Sequence, residues 1–148
     1  MLLQKDSNPA LNTVTAYGDD YLEINRVRFR TAVSFTPEGL IRSLDLTSPA
    51  DIDAELLRSL VGLKDARRDP LAFLDDAPPA LPPDAPEVVL IGTGARQAFL
   101  PPAVTGALLS LGIGIETMTT QAAARTYNIL MSEERRVLAL LLPGEPTP

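Results

Sequence analysis

The stretch Glu87-Val88-Val89-Leu90-Ile91-Gly92-Thr93-Gly94 decides the fold. Val88, Val89, Leu90 and Ile91 run together without polar interruption, the pattern of a strand covered on both faces. Such a strand needs helices above and below it, and the following residues supply them. Pro101-Pro102 opens a helix with Val104, Leu108 and Leu111 on one side, and Gly112 stops it. Residues 113–118 read as a second strand. Thr119 or Thr120 then caps a helix running to about residue 131, with Ala123, Tyr127 and Leu130 inward. Residues 136–142 form a third buried strand, ended by Pro143. The order β-α-β-α-β predicts right-handed crossovers, a parallel run and helices on both faces.

Before this stretch the patterning changes. Residues 13–17 and 21–24 read as strands separated by the turn Gly18-Asp19-Asp20, and Asn25-Arg26 is a second turn. Val27, Phe29, Thr31 and Val33 alternate on one face of a strand over 27–33, and residues 40–46 alternate as well. Together they predict an antiparallel meander of three or four strands. Ser48, Pro49 and Asp51 mark a helix start that approximates a capping box, and Ile52, Leu56 and Leu60 form its core stripe up to Gly62. The expected fold is therefore α/β, a three-layer sandwich: a mixed sheet with an N-terminal antiparallel meander and a C-terminal β-α-β-α-β parallel run.

Between the two patterns lies a proline-rich connector over 78–86, with five prolines in nine residues, which favours an extended surface path. The halves on either side are too small to stand as separate domains, so residues 1–148 are expected to form one domain with its core at about 13–143. The balance of 13 basic against 19 acidic residues gives a net charge of −6, which repels phosphate backbones, so no nucleic-acid binding is expected. The chain has no His and no Cys, which removes thiol nucleophiles, disulfides, a His base and the usual zinc sites. The start, Met1 to Asp6 followed by Ser7-Asn8-Pro9, reads as neither a secretory signal nor an Arg-rich transit peptide. The weakly polar stretch 101–115 is broken by Gly106, Gly112 and Gly114 and is too short to span a bilayer. No membrane insertion and a cytoplasmic location are expected.

Three groups of residues suggest chemistry. Gly92-Thr93-Gly94 follows a buried strand, where glycines let backbone approach a phosphate, and Glu116 lies 24 residues beyond Gly92, near the place of a ribose-binding acid. Against a dinucleotide site stand Gln97 in the third glycine position and a helix that begins only at the two prolines. The same glycines also suit a tight strand-exit turn. If the crossovers are standard, Thr93 and Thr119 lie together at the C-terminal edge of the sheet, with Arg125 and Asn128 one turn apart on the adjoining helix. Gly92, Thr93, Gly94, Thr119, Arg125 and Asn128 could thus bind an anion. The favoured alternative is structural: Asn128 caps backbone while Glu133 pairs with Arg125 or Arg136. The acid pairs Asp19-Asp20 and Asp75-Asp76 lack calcium-loop spacing. No catalytic residue, metal site or cofactor is assigned.

The segments 88–94, 112–120, 123–130 and 133–137, with Tyr17-Gly18 and the following hairpin, resemble a family of small uncharacterised domains. That family includes mitochondrial respiratory complex I assembly factor 3, the vertebrate adipogenesis-associated domain protein and many bacterial and archaeal single-domain proteins. The resemblance implies a bacterial single-domain member, a three-layer α/β fold with a mixed sheet, no established activity, and a protein partner. Two departures stand out. Met118-Thr119-Thr120 replaces a common Met-Asp-Thr, which removes an acid from the candidate cleft, and Glu134 replaces the glycine of a common Glu-Gly-Arg. Two functions follow as expectations. One is a non-catalytic protein-binding or assembly factor. The other is a small-molecule or anion-binding protein, or an enzyme, using the cleft at Gly92-Thr93-Gly94.

Overall fold

The computed structural model of the chain describes residues 10–63 and 81–144. Val14–Tyr17 (β1), Leu22–Ile24 (β2) and Val27–Phe29 (β3) form an antiparallel three-stranded sheet in the order β1-β2-β3. Asn25 and Arg26, both at positive φ, make the tight turn between β2 and β3. Ala32–Phe35 (β4), Arg42–Leu44 (β5), Val88–Gly92 (β6), Gly114–Met118 (β7) and Val137–Leu141 (β8) form a second sheet in the order β5-β4-β8-β6-β7. In it β8, β6 and β7 are parallel, and β4 and β5 run antiparallel to their neighbours. The helices are Ala54–Leu60 (α1), Pro102–Ser110 (α2) and Thr120–Ser132 (α3).

The strands of the parallel run are apolar throughout because both of their faces are covered. Leu90, Val137, Ala139 and Leu141 turn to α3 and the small sheet, meeting Ala123, Ala124, Tyr127, Val14, Leu22 and Ile24. The alternate residues Val89, Ile91, Leu138 and Leu140 turn to α1 and α2, meeting Leu57 and Leu108. The chain steps from β6 through α2 to β7, then returns through α3 past β6 to β8, so the two helices cover opposite faces. The fold is a three-layer α/β sandwich: α1 and α2, the mixed five-stranded sheet, then α3 with the small sheet. Among the described residues no helix is long and apolar enough to cross a membrane.

Three local expectations are corrected. The stretch 27–33 is not one strand. It breaks at Arg30-Thr31, and Val27 remains 55% exposed on the small sheet while Val33 is fully buried in the large one. Alternation alone cannot reveal that a strand changes sheets. The first helix is two pieces: a single 3-10 turn over Pro49–Asp51, with Ser48 and Asp51 forming the capping box, then α1 with a fresh N-cap at Asp53. The second cap resets the helical phase, so the buried residues are Ile52, Leu57 and Val61, while Leu56 and Leu60 are partly buried and pack against the same cluster. Residues 78–80 of the proline-rich connector, like Asp75-Asp76, lie outside the described residues. In the remainder Ala85 and Pro86 are buried and Leu81 packs against the α1–α2 layer, so its end is part of the fold rather than a plain surface path.

Candidate functional site

The three parallel strands end at one edge of the sheet, where Gly92-Thr93-Gly94, Met118-Thr119-Thr120 and Leu142-Pro143-Gly144 come together. Thr93 N–H donates to Met118 O at 2.9 Å, and Leu142 N–H donates to Gly92 O at 2.9 Å, so the edge continues the ladder beyond the strands. Gly92 is required by close approach: a Cβ there would lie 2.8 Å from Thr120 Cα and 3.0 Å from Leu141 Cδ2. Gly94 has φ +101°, a conformation that glycine adopts without penalty.

Hydrogen bonds then close the edge. Thr120 Oγ1, buried, accepts from Gly94 N–H at 2.8 Å and donates to Leu142 O at 2.7 Å. Thr120 N–H returns to Gly94 O at 2.9 Å, and Ala95 N–H donates to Gly144 O at 3.1 Å. The Thr93 hydroxyl donates to Arg96 O at 2.7 Å and accepts from Ala98 N–H at 3.1 Å. The amides of Thr93, Gly94 and Ala95 are therefore all engaged within the chain. At the start of α3, Thr119 is the N-cap, accepting from Ala122 N–H at 3.3 Å through Oγ1 and from Ala123 N–H at 2.9 Å through its carbonyl. Among the described residues, Gln121 N–H alone of that first turn is left without a partner. The arrangement stitches β6, α3 and β8 together; it does not present a row of open donors to a phosphate.

Of the six candidate residues, Gly92, Thr93, Gly94 and Thr119 come together at this edge, and Arg125 and Asn128 point to β1. Arg125 is exposed, and its Nη1 donates to Tyr17 OH at 2.9 Å with the guanidinium carbon 5.9 Å from the ring centre. Asn128 takes the backbone-capping role: its Oδ1 accepts from Val14 N–H at 3.0 Å and its Nδ2 donates to Val14 O at 2.8 Å. Glu133 pairs with neither Arg125 nor Arg136. Instead Glu87 accepts from Arg135 Nε at 3.0 Å and from Arg136 N–H at 3.1 Å, and these bonds hold its carboxyl below the usual carboxylate range.

Outside the stitched turn lies a depression of about 190 Å³ lined by Gly18, Asp19, Gly94, Ala95, Thr119, Thr120, Gln121 and Gly144. Asp19 sets a carboxylate beside it, which disfavours an anion. Gly18, Asp19 and Gly144 were not legible as neighbours of Gly94, because they come from opposite ends of the chain. The only hint was Tyr17-Gly18 in the family-like pattern.

The family described as "Protein of unknown function (DUF498/DUF598)" matches residues 14–142. The chain belongs to that family. A solution structure from Bordetella pertussis, described as an Mth938-like domain, is 54% identical, with a TM-score of 0.76 over 99% of this chain and 95% of that one. An uncharacterised protein of Rhodobacter capsulatus is 49% identical over 57 residues, which is 38% of this chain and 46% of that relative, so the match spans about half the relative's length. The chain is also similar to the NADH dehydrogenase (ubiquinone) 1 alpha subcomplex assembly factor 3 of Xenopus tropicalis. It is 28% identical over 130 residues, which is 86% of this chain and 68% of that protein.

Proposed function

We propose that the chain is a non-catalytic protein-binding factor, acting in assembly as the name of its Xenopus tropicalis relative says of that protein. One observation carries the reading. The strand ends where an open α/β sheet places a ligand are closed, with the amides of Thr93, Gly94 and Ala95 all bonded inside the chain. The similarity to the Xenopus tropicalis assembly factor, over 86% of this chain, supports it. The depression beside Asp19, at about 190 Å³, falls below the range of about 300–1,000 Å³ usual for small-molecule sites, and the larger one of about 780 Å³ lies at the opposite end of the strands, beside Pro82, Arg135 and Arg136. A cytoplasmic location and the absence of nucleic-acid binding belong to the same proposal.

The test is affinity purification of the tagged full chain from the cells that make it. The expected result is a second protein retained in near-equal amount through a salt wash that clears a tag-only control. A chain that purifies alone, and whose melting temperature rises with inorganic phosphate or a dinucleotide, would establish the small-molecule reading instead.

A further inference from the structure

The edges of a β-sheet carry unpaired backbone groups, and proteins blunt them by shortening, capping or charging the edge strand. Among the described residues three of the four strand edges are treated this way. Asn128 satisfies Val14 on β1, and β3 and β5 are only three residues each. The fourth, β7, is the longest of the four at five residues, pairs with β6 in unbroken register, and contains no proline or bulge; its one charge is Glu116.

The register decides which groups face outward. Gly114 N–H donates to Glu87 O, and Met118 O accepts from Thr93 N–H. Gly114, Glu116 and Met118 therefore turn their main-chain groups to β6, and the alternate residues Ile115 and Thr117 turn theirs away from it. No described residue takes up the N–H or C=O of either. Two outward residues in succession offer an added strand two donors and two acceptors.

Glu116, exposed between them, selects the occupant. A second copy pairing antiparallel, with Ile115 opposite Thr117 in both directions, would use all four groups. It would also set Glu116 directly against Glu116 of the second copy, a destabilising like-charge pair, on chains each carrying a net charge of −6. A strand with a cation at that position gains an opposite-charge pair instead. We propose that the β7 edge docks an extended segment of a partner protein by β-strand addition, with a Lys or Arg of that segment opposite Glu116. This inference rests on the protein-binding reading and names its surface.

The probe is a capped peptide, Thr-Val-Lys-Val-Thr, titrated into the full chain with amide resonances recorded, and Thr-Val-Glu-Val-Thr is the control. The expected result is shifts and slowed exchange centred on the Ile115 and Thr117 amides, with roughly fivefold tighter binding of the Lys peptide. Glu116→Lys should reverse that preference. Thr117→Pro removes an outward N–H and spares the β6 ladder, so it should abolish the response, while Thr117→Val should keep it. Three results would overturn the inference: no response or one centred elsewhere, equal response to both peptides, or concentration-dependent shifts of the same amides without peptide. If the chain retains a cellular partner that Thr117→Pro retains equally well, the docking strand is wrong and the protein-binding reading stands. If no partner is retained, that reading fails and the peptide titration alone decides the edge.

Discussion

Thr120 shows how one hydroxyl can determine what a sheet edge does. Its oxygen accepts from Gly94 N–H and donates to Leu142 O, joining two strand ends to the first turn of α3. Thr120→Val preserves the shape and strands both backbone groups in a buried place, so unfolding by denaturant should show a loss of about 1–3 kcal/mol. Thr120→Ser keeps the hydroxyl and should lose less. Glu134 poses the opposite case. It sits at φ +63° just past α3, a conformation that favours glycine. Glu134→Gly should therefore stabilise by roughly 0.5–1 kcal/mol, read as a higher denaturant midpoint at unchanged slope. The glycine turn at Gly92-Thr93-Gly94 was visible in the sequence, but its closure was not. The hydroxyl that closes Gly94 belongs to a residue 26 positions away, and no local pattern announces that Thr120 Oγ1 will reach it.

At the scale of elements, the parallel run was legible because uninterrupted apolar strands, paired prolines and terminal glycines each have a local physical cause. The meander was less so, since β3 and β4 share one alternating pattern yet join different sheets. Arg125 and Asn128, one turn apart on α3, read alike in sequence and differ in structure. Asn128 is part-buried and holds both main-chain groups of Val14, acting in place of a neighbouring strand for β1. Arg125 makes one exposed bond to Tyr17. Asn128→Ala should cost about 1–3 kcal/mol and speed amide exchange at Val14. Arg125→Ala should cost less than about 1 kcal/mol and leave Val14 protected.

Across the whole molecule, both hydrophobic clusters are built on the two faces of the same five-stranded sheet. We propose that the chain therefore unfolds as one cooperative unit, giving a single calorimetric transition. Its pH dependence follows from its composition and two carboxylates. With no His and no Cys, little titrates near neutrality, and the melting temperature should be nearly flat between about pH 6 and 8. The Glu87 carboxyl is held low by Arg135 and the Arg136 amide, and Asp51 by the amides of Thr47 and Ser48. A depressed folded value contributes stability above the unfolded value and loses it as pH falls through the folded one. The stability these two carboxylates contribute should thus fall away below the ordinary values of 4.5 for Glu87 and 3.8 for Asp51, and Glu87→Gln should shallow the fall in melting temperature there.

We propose that this fold closes the strand ends where open α/β sheets in general hold ligands, and works by holding another protein. Native mass spectrometry of the full chain, purified gently from the cells that make it, reads both halves of that claim at once. The account predicts a peak for the chain joined to a second, different protein, with no small molecule retained on either species. A chain of 15.9 kDa alone, or one carrying a stoichiometric small ligand, would contradict it.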